Sequence, residues 1–127
     1  MNKKIFTGGQ VVLPDSVVTG SLVVEGEQVA GLLLPGIRLG SEYEEIDVSG
    51  KVLLPGVIDS HVHMWDPSPQ NYREDWRHGS QCAASGGITT IIDMPLSVPP
   101  VVNEEGFRIK QTLADQESCV DFAFWGG

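Results

Sequence analysis

Basic residues are scarce in this chain. Eight Lys and Arg stand against 17 Asp and Glu, for a formal net charge of −9 at pH 7. No basic stripe can gather phosphates, which excludes a nucleic-acid-binding role. An anionic membrane surface repels such a chain for the same reason. Long apolar runs are missing too. The longest pieces, such as Leu32-Leu33-Leu34, fall far short of the about 18 residues a spanning helix needs. Met1-Asn2-Lys3-Lys4 is mildly basic, but Thr7, Gly8, Gly9 and Gln10 interrupt any apolar stretch after it. The sequence therefore predicts no secretory leader and a cytoplasmic protein. Cysteine is almost absent. Cys82 and Cys119 lack C-x-x-C spacing, so they predict two free thiols rather than a disulfide framework. No Lys, Arg or His lies within three residues of either in sequence, so neither is predicted as an activated nucleophile.

What remains is ordinary globular composition: 127 residues, 41% hydrophobic and 20% charged, with 15 Gly and 8 Pro. That length allows one small domain at most, yet the patterning changes once along it. Residues 1–54 read as short strands and turns. Strands are expected at 10–13, stopped by Pro14-Asp15, then at 21–25 and 28–34 around Gly26, and at 46–48 and 51–54 around Ser49-Gly50. Two-residue connections favour hairpins, so an antiparallel β unit is expected here. It is too small to cover both its faces.

Residues 55–127 read differently. An apolar strand at 57–63 precedes a helical pattern at 71–85 that Gly86-Gly87 closes. Ile88 to Met94 is β-branched and nearly continuous, as in a strand buried on both faces. Asn103 caps a second helix to about 117, with Glu104 and Glu105 favoured in its first turn. A third strand follows at 119–125. The order β-α-β-α-β predicts adjacent parallel strands with right-handed crossovers.

The chemistry lies in Asp59-Ser60-His61-Val62-His63. Side chains alternate along a regular strand, so Asp59, His61 and His63 are expected on one face. Two imidazoles at this spacing reach one metal ion, and nitrogen donors suit zinc and its neighbours. Asp59 either orients an imidazole or is a plain structural carboxylate. The pattern alone is weak, since three His in a shuffled chain of this length give an i,i+2 pair in roughly 5% of cases. Its place at the C-terminal end of a strand strengthens it.

The run Gly50-Lys51-Val52-Leu53-Leu54-Pro55-Gly56-Val57-Ile58-Asp59-Ser60-His61-Val62-His63 resembles the opening of the cyclic amidohydrolases of the amidohydrolase superfamily. Gly86 to Leu96, Arg73-Glu74-Asp75-Trp76 and Val120 to Gly127 are similar to the allantoinases within that group. Dihydropyrimidinases and dihydroorotases share the H-x-H opening. The resemblance is weak up to about residue 45 and specific from Gly50 onward.

The resemblance implies an α/β fold: the first three strands of a TIM (β/α)8 barrel over 55–127, preceded by part of a small β-sandwich domain over 1–54. Such a barrel needs about 200 to 250 residues, so the chain is expected to be an incomplete portion. It also implies two metal ions, usually zinc, bridged by a carboxylated lysine, with His61 and His63 binding one of them. The bridging lysine, two further His and a catalytic Asp would lie beyond residue 127. No catalytic residue is then expected within the chain, which alone should be inactive. Lys110 falls on the second helix and is not the bridging lysine. In relatives a bridging hydroxide attacks a ring amide carbonyl, which accords with the general chemistry of metal hydrolysis.

Trp65 replaces a small polar residue of allantoinases or an arginine of dihydroorotases, and Ser97 replaces an asparagine. Both positions face substrate in relatives. The implied reaction is hydrolysis of a small-molecule cyclic amide, allantoin to allantoate in purine catabolism. The alternatives are a dihydropyrimidinase or hydantoinase, and a non-catalytic fragment or paralogue acting in assembly. A homo-oligomer, a tetramer in relatives, is implied for the complete protein. Asp93 either touches the site or makes a buried hydrogen bond. Trp76 is read as helix–sheet packing, and His78 as a surface side chain.

Overall fold

A computed structural model describes residues 2–127. They form two compact units that meet at Pro55–Gly56. The first is a single mixed sheet of β1 (Lys3–Leu13), β2 (Ser16–Glu25), β3 (Gln28–Leu33), β4 (Glu44–Asp47) and β5 (Val52–Leu53). The strands order as β3-β2-β1-β4, and β5 also pairs with β1. β1, β2 and β3 are joined by tight turns at Pro14-Asp15 and Gly26-Glu27, and both neighbouring pairs are antiparallel.

Two expectations change here. The unit is not wholly antiparallel, because β4 and β5 run parallel to β1. The stretch from Leu34 to Tyr43 carries the chain back to the start of the sheet, and such a return is what parallel pairing requires. The first strand also begins at Lys3 rather than at Gln10. Thr7-Gly8-Gly9 looks like a break, but Gly8 takes φ +79 and the pairing resumes beyond a bulge between Phe6 and Gly9. A glycine tolerates that left-handed backbone where a side chain would not. Ile5, Val11, Val23 and Val48 are the buried apolar residues of this unit.

The second unit runs β6 (Val57–Val62), α1 (Trp76–Ser85), β7 (Ile88–Asp93), α2 (Glu104–Glu117) and β8 (Asp121–Phe124). Its strands are all parallel, in the order β6-β7-β8. α1 starts five residues later than the apolar spacing suggests. Asp75 is its N-cap, with Oδ1 accepting from His78 N at 2.7 Å, and a cap residue fixes a helix start more sharply than periodicity does. Asn103 caps α2 in the same way, accepting from Gly106 N at 2.9 Å.

The core lies between sheet and helices. Met64, Trp76, Ile91 and Ala114 are buried there, with Val62, Phe122 and Phe124 packed against them. The Trp76 ring stands 5.5 Å from Phe122 and 5.7 Å from Phe124, both at steep angles. The contact with Phe124 is edge-on, an arrangement favourable beyond its buried area. This packing fixes the helix-facing side of the sheet and leaves its other side for the histidines.

Candidate functional site

The end of β6 is irregular, and the irregularity decides where its side chains go. Asp59 pairs with Ile91, and Val62 pairs with Asp93. Two β6 residues, Ser60 and His61, therefore oppose the single residue Ile92. A bulge of this type reverses the alternation of faces. Ile91 packs on Trp76 and Ala114, so Asp59 beside it is turned toward the helix layer. Val62, past the bulge, is again on the helix side. His61 and His63 point to the opposite face.

The expectation that Asp59 shares a face with the histidines is thus corrected. Asp59 Oδ1 instead accepts from His61 N at 3.1 Å, taking up an N–H in the stretch where the ladder is interrupted. The free carbonyl of Ser60 accepts from the Trp125 indole N–H at 2.9 Å. Two side chains thereby take up backbone groups that the bulge leaves out of the ladder. The bond has Asx-turn geometry, which the sequence alone does not single out, since almost any Asp has an N–H two residues on.

The two imidazoles converge. His61 Nε2 and His63 Nε2 lie 3.3 Å apart, with ring centroids at 5.2 Å and planes inclined at 62°. His63 is half-buried and stacks on Trp65 at 5.7 Å, with planes 20° apart. The Arg73 guanidinium lies 5.1 Å from the centre of the Trp65 ring, a cation–π distance. His63 Nδ1 is buried and has no hydrogen-bond partner among the described residues. The ring's polar capacity is therefore directed through Nε2 toward His61.

This donor pair fits a metal ion. Two nitrogens bound at 2.0–2.1 Å to a tetrahedral ion are separated by about 3.3 Å, the spacing found here. The pair is not a full ligand set. Among the described residues, no group of three or more His, Cys, Asp and Glu side chains is placed to hold an ion.

Trp65 lies against His63 as described. Ser97 is turned into its own loop: Oγ donates to Pro99 O at 2.9 Å and its N–H to Pro95 O at 3.0 Å. Asp93 and Lys110 are fully buried and form an ion pair. Asp93 Oδ1 also accepts from Met64 N at 2.8 Å. Burial pushes the Asp93 carboxyl above the usual carboxylate range, against the pull of the Lys110 ammonium and the Met64 N–H. His78 is exposed and bonded to Asp75, and Trp76 belongs wholly to the core. Cys82 and Cys119 are exposed and unbonded. Among the described residues, no helix is long and apolar enough to cross a membrane.

The sequence profile of the amidohydrolase family matches residues 52–127, and the chain belongs to that family. Within it, the chain is 39% identical over 124 residues to an allantoinase of Deinococcus radiodurans, covering 89% of this chain and 28% of that protein. It is 46% identical over 84 residues to a dihydroorotase of Methanothermobacter thermautotrophicus, covering 66% of this chain and 19% of that protein. Its fold matches an L-hydantoinase (dihydropyrimidinase) from Arthrobacter aurescens with a TM-score of 0.86 at 33% identity, over 100% of this chain and 28% of that one. The chain thus spans between 19% and 28% of the length of these relatives.

Proposed function

We propose that this chain is the N-terminal portion of a metal-dependent cyclic amidohydrolase that opens a hydantoin-type ring, with allantoin as substrate and allantoate as product. The observation that carries the reading is the convergence of the His61 and His63 Nε2 atoms at 3.3 Å on the open face of the parallel sheet. The likeness to allantoinases over most of the chain supports the substrate. On this reading residues 55–127 supply the first three strands of a TIM barrel, and residues 1–54 part of a composite β-sandwich. The complete protein is then a cytoplasmic homo-tetramer.

His61 and His63 would hold the metal, with zinc the ion this donor set suits. A bound divalent ion supplies Lewis acidity to an amide carbonyl and makes hydroxide available near neutral pH. The chain's own residues would hold and shelter the imidazoles. Trp65 shields one face of His63 from water, and Arg73 lies over Trp65. Asp59 and Trp125 hold the bulge that presents the imidazoles. Trp65 stands where it would shape the substrate pocket, while Ser97, at the other position expected to do so, would act through its loop because its hydroxyl is bonded to Pro99 O. A hydantoinase or dihydropyrimidinase is the second reading, favoured by the fold match to the Arthrobacter enzyme.

The test uses the full-length protein. Metal content and hydrolysis of allantoin, hydantoin and dihydrouracil are measured for wild type and for His61→Ala/His63→Ala. Loss of metal together with loss of allantoin hydrolysis is expected. Preference for hydantoin or dihydrouracil selects the second reading. Full metal content and activity in the double variant refute the ligand assignment, and a wild type inert toward all three substrates refutes the catalytic reading.

A further inference from the structure

The Asp93–Lys110 pair has no part in the function proposed so far. Both residues lie in the layer between sheet and helices, without solvent exposure. Such a pair is a poor source of stability, because desolvation offsets the attraction and apolar residues of similar volume do as well or better. Its connections suggest a different use.

Asp93 Oδ1 accepts the Met64 N–H at 2.8 Å, one residue after His63. Lys110 Nζ pairs with the same carboxylate and donates to Met94 O at 2.8 Å. Met94 N donates to Val62 O at 2.9 Å, one residue before His63. The peptide groups on both sides of His63 are therefore tied to the end of β7, and the Lys110 ammonium on α2 closes the circuit. A metal-binding histidine ordinarily gains its orientation by donating its second ring N–H to a carboxylate or carbonyl. His63 Nδ1 has no such partner among the described residues. Orientation of this ring falls instead to its flanking backbone and to the Trp65 stack.

We propose that Asp93, held by Lys110, is a positioning residue that fixes His63 for metal binding through the Met64 N–H. The proposal rests on the reading of His61 and His63 as metal ligands.

Two double variants of the full-length protein separate positioning from simple stability. Asp93→Asn/Lys110→Met and Asp93→Leu/Lys110→Met both remove the buried charges, but only asparagine keeps an acceptor for the Met64 N–H. Zinc affinity is measured by competition with a chelator, beside the thermal midpoint. The asparagine variant should bind zinc at the histidine-dependent site within about threefold of wild type, and the leucine variant about tenfold or more weakly at a similar midpoint. Equal, wild-type affinity in both overturns the proposal.

Should the leucine variant fail to fold, amide exchange of metal-free wild type decides. Met64 N–H protected as strongly as Ile91 N–H supports the proposal, and exchange at the rate of an open loop overturns it. Zinc binding unchanged by His61→Ala/His63→Ala defeats the ligand reading itself and the proposal with it, a result distinct from either of those.

Discussion

Asp59→Ala removes the acceptor that faces His61 N. A hydrogen bond to a charged group contributes about 1.5–3 kcal/mol when well made and sheltered. At 3.1 Å this one is longer than the usual charge-assisted N–H···O bond, and His61 is exposed, so water competes for the freed N–H. The expected loss therefore falls below that range, at about 1 kcal/mol as for an ordinary hydrogen bond, which is about a fivefold fall in local protection. Native-state hydrogen exchange of the His61 amide in the full-length protein reads that quantity directly, because it reports local opening apart from global unfolding. Asp59→Asn keeps a side-chain oxygen in place and should retain most of the protection. The alanine variant should also broaden the approach of the two imidazoles, so metal affinity should fall with the amide protection. Unchanged His61 exchange in Asp59→Ala, or equal losses in the asparagine and alanine variants, refutes the claim that this carboxylate holds the bulge.

Gly79 lies in α1 where an added Cβ would overlap Met64 Sδ. Helix propensity alone favours alanine by about 1 kcal/mol, but overpacking costs about 1–3 kcal/mol. Gly79→Ala should therefore lower the denaturation midpoint, and a raised midpoint would show that Met64 yields freely. The α1 N-terminus should respond to pH at both ends. The Asp75 hydrogen bond holds His78 above the ordinary imidazole value, so its contribution is complete below that value and lost as pH rises through the raised one. The His78 N–H holds Asp75 below the ordinary carboxylate value, so its contribution is complete above that value and lost as pH falls through the depressed one. Amide protection in the first turn of α1 should be greatest between about pH 4 and 6.5, and His78→Ala should flatten the alkaline limb. A limb that survives that substitution assigns the effect elsewhere.

The parallel sheet was legible because each of its elements carries a local pattern. Ile88 to Asp93 is β-branched, the helices have caps and apolar stripes, and β-α-β-α-β leaves few topologies. The histidine pair was legible by spacing and place. What was not legible depends on partners distant in sequence. β4 and β5 choose β1 as a parallel neighbour across dozens of residues, and nothing local to Glu44–Asp47 announces it. The face of Asp59 depends on how β6 registers against β7, which no alternation rule supplies. Asp93 could be read as touching the site or as a buried hydrogen-bonding group. It is buried, bonded to Met64 N and paired with Lys110, a partner 17 positions along the chain on α2. The boundaries missed at Asn71 and Gln10 share one cause: a single residue, Asp75 as a cap and Gly8 as a bulge, outweighs a run of average propensities.

The bulge between Asp59 and Val62 also bears on how this motif travels. Transplanted as letters onto a regular strand of some other scaffold, D-x-H-x-H would present a carboxylate and two imidazoles side by side: an anionic three-donor set with its own metal preference. Here the same letters yield a neutral two-donor set, with the carboxylate spent on the backbone behind it. A designer who copies the residues without the extra one in the strand would build a different ligand field from an identical string.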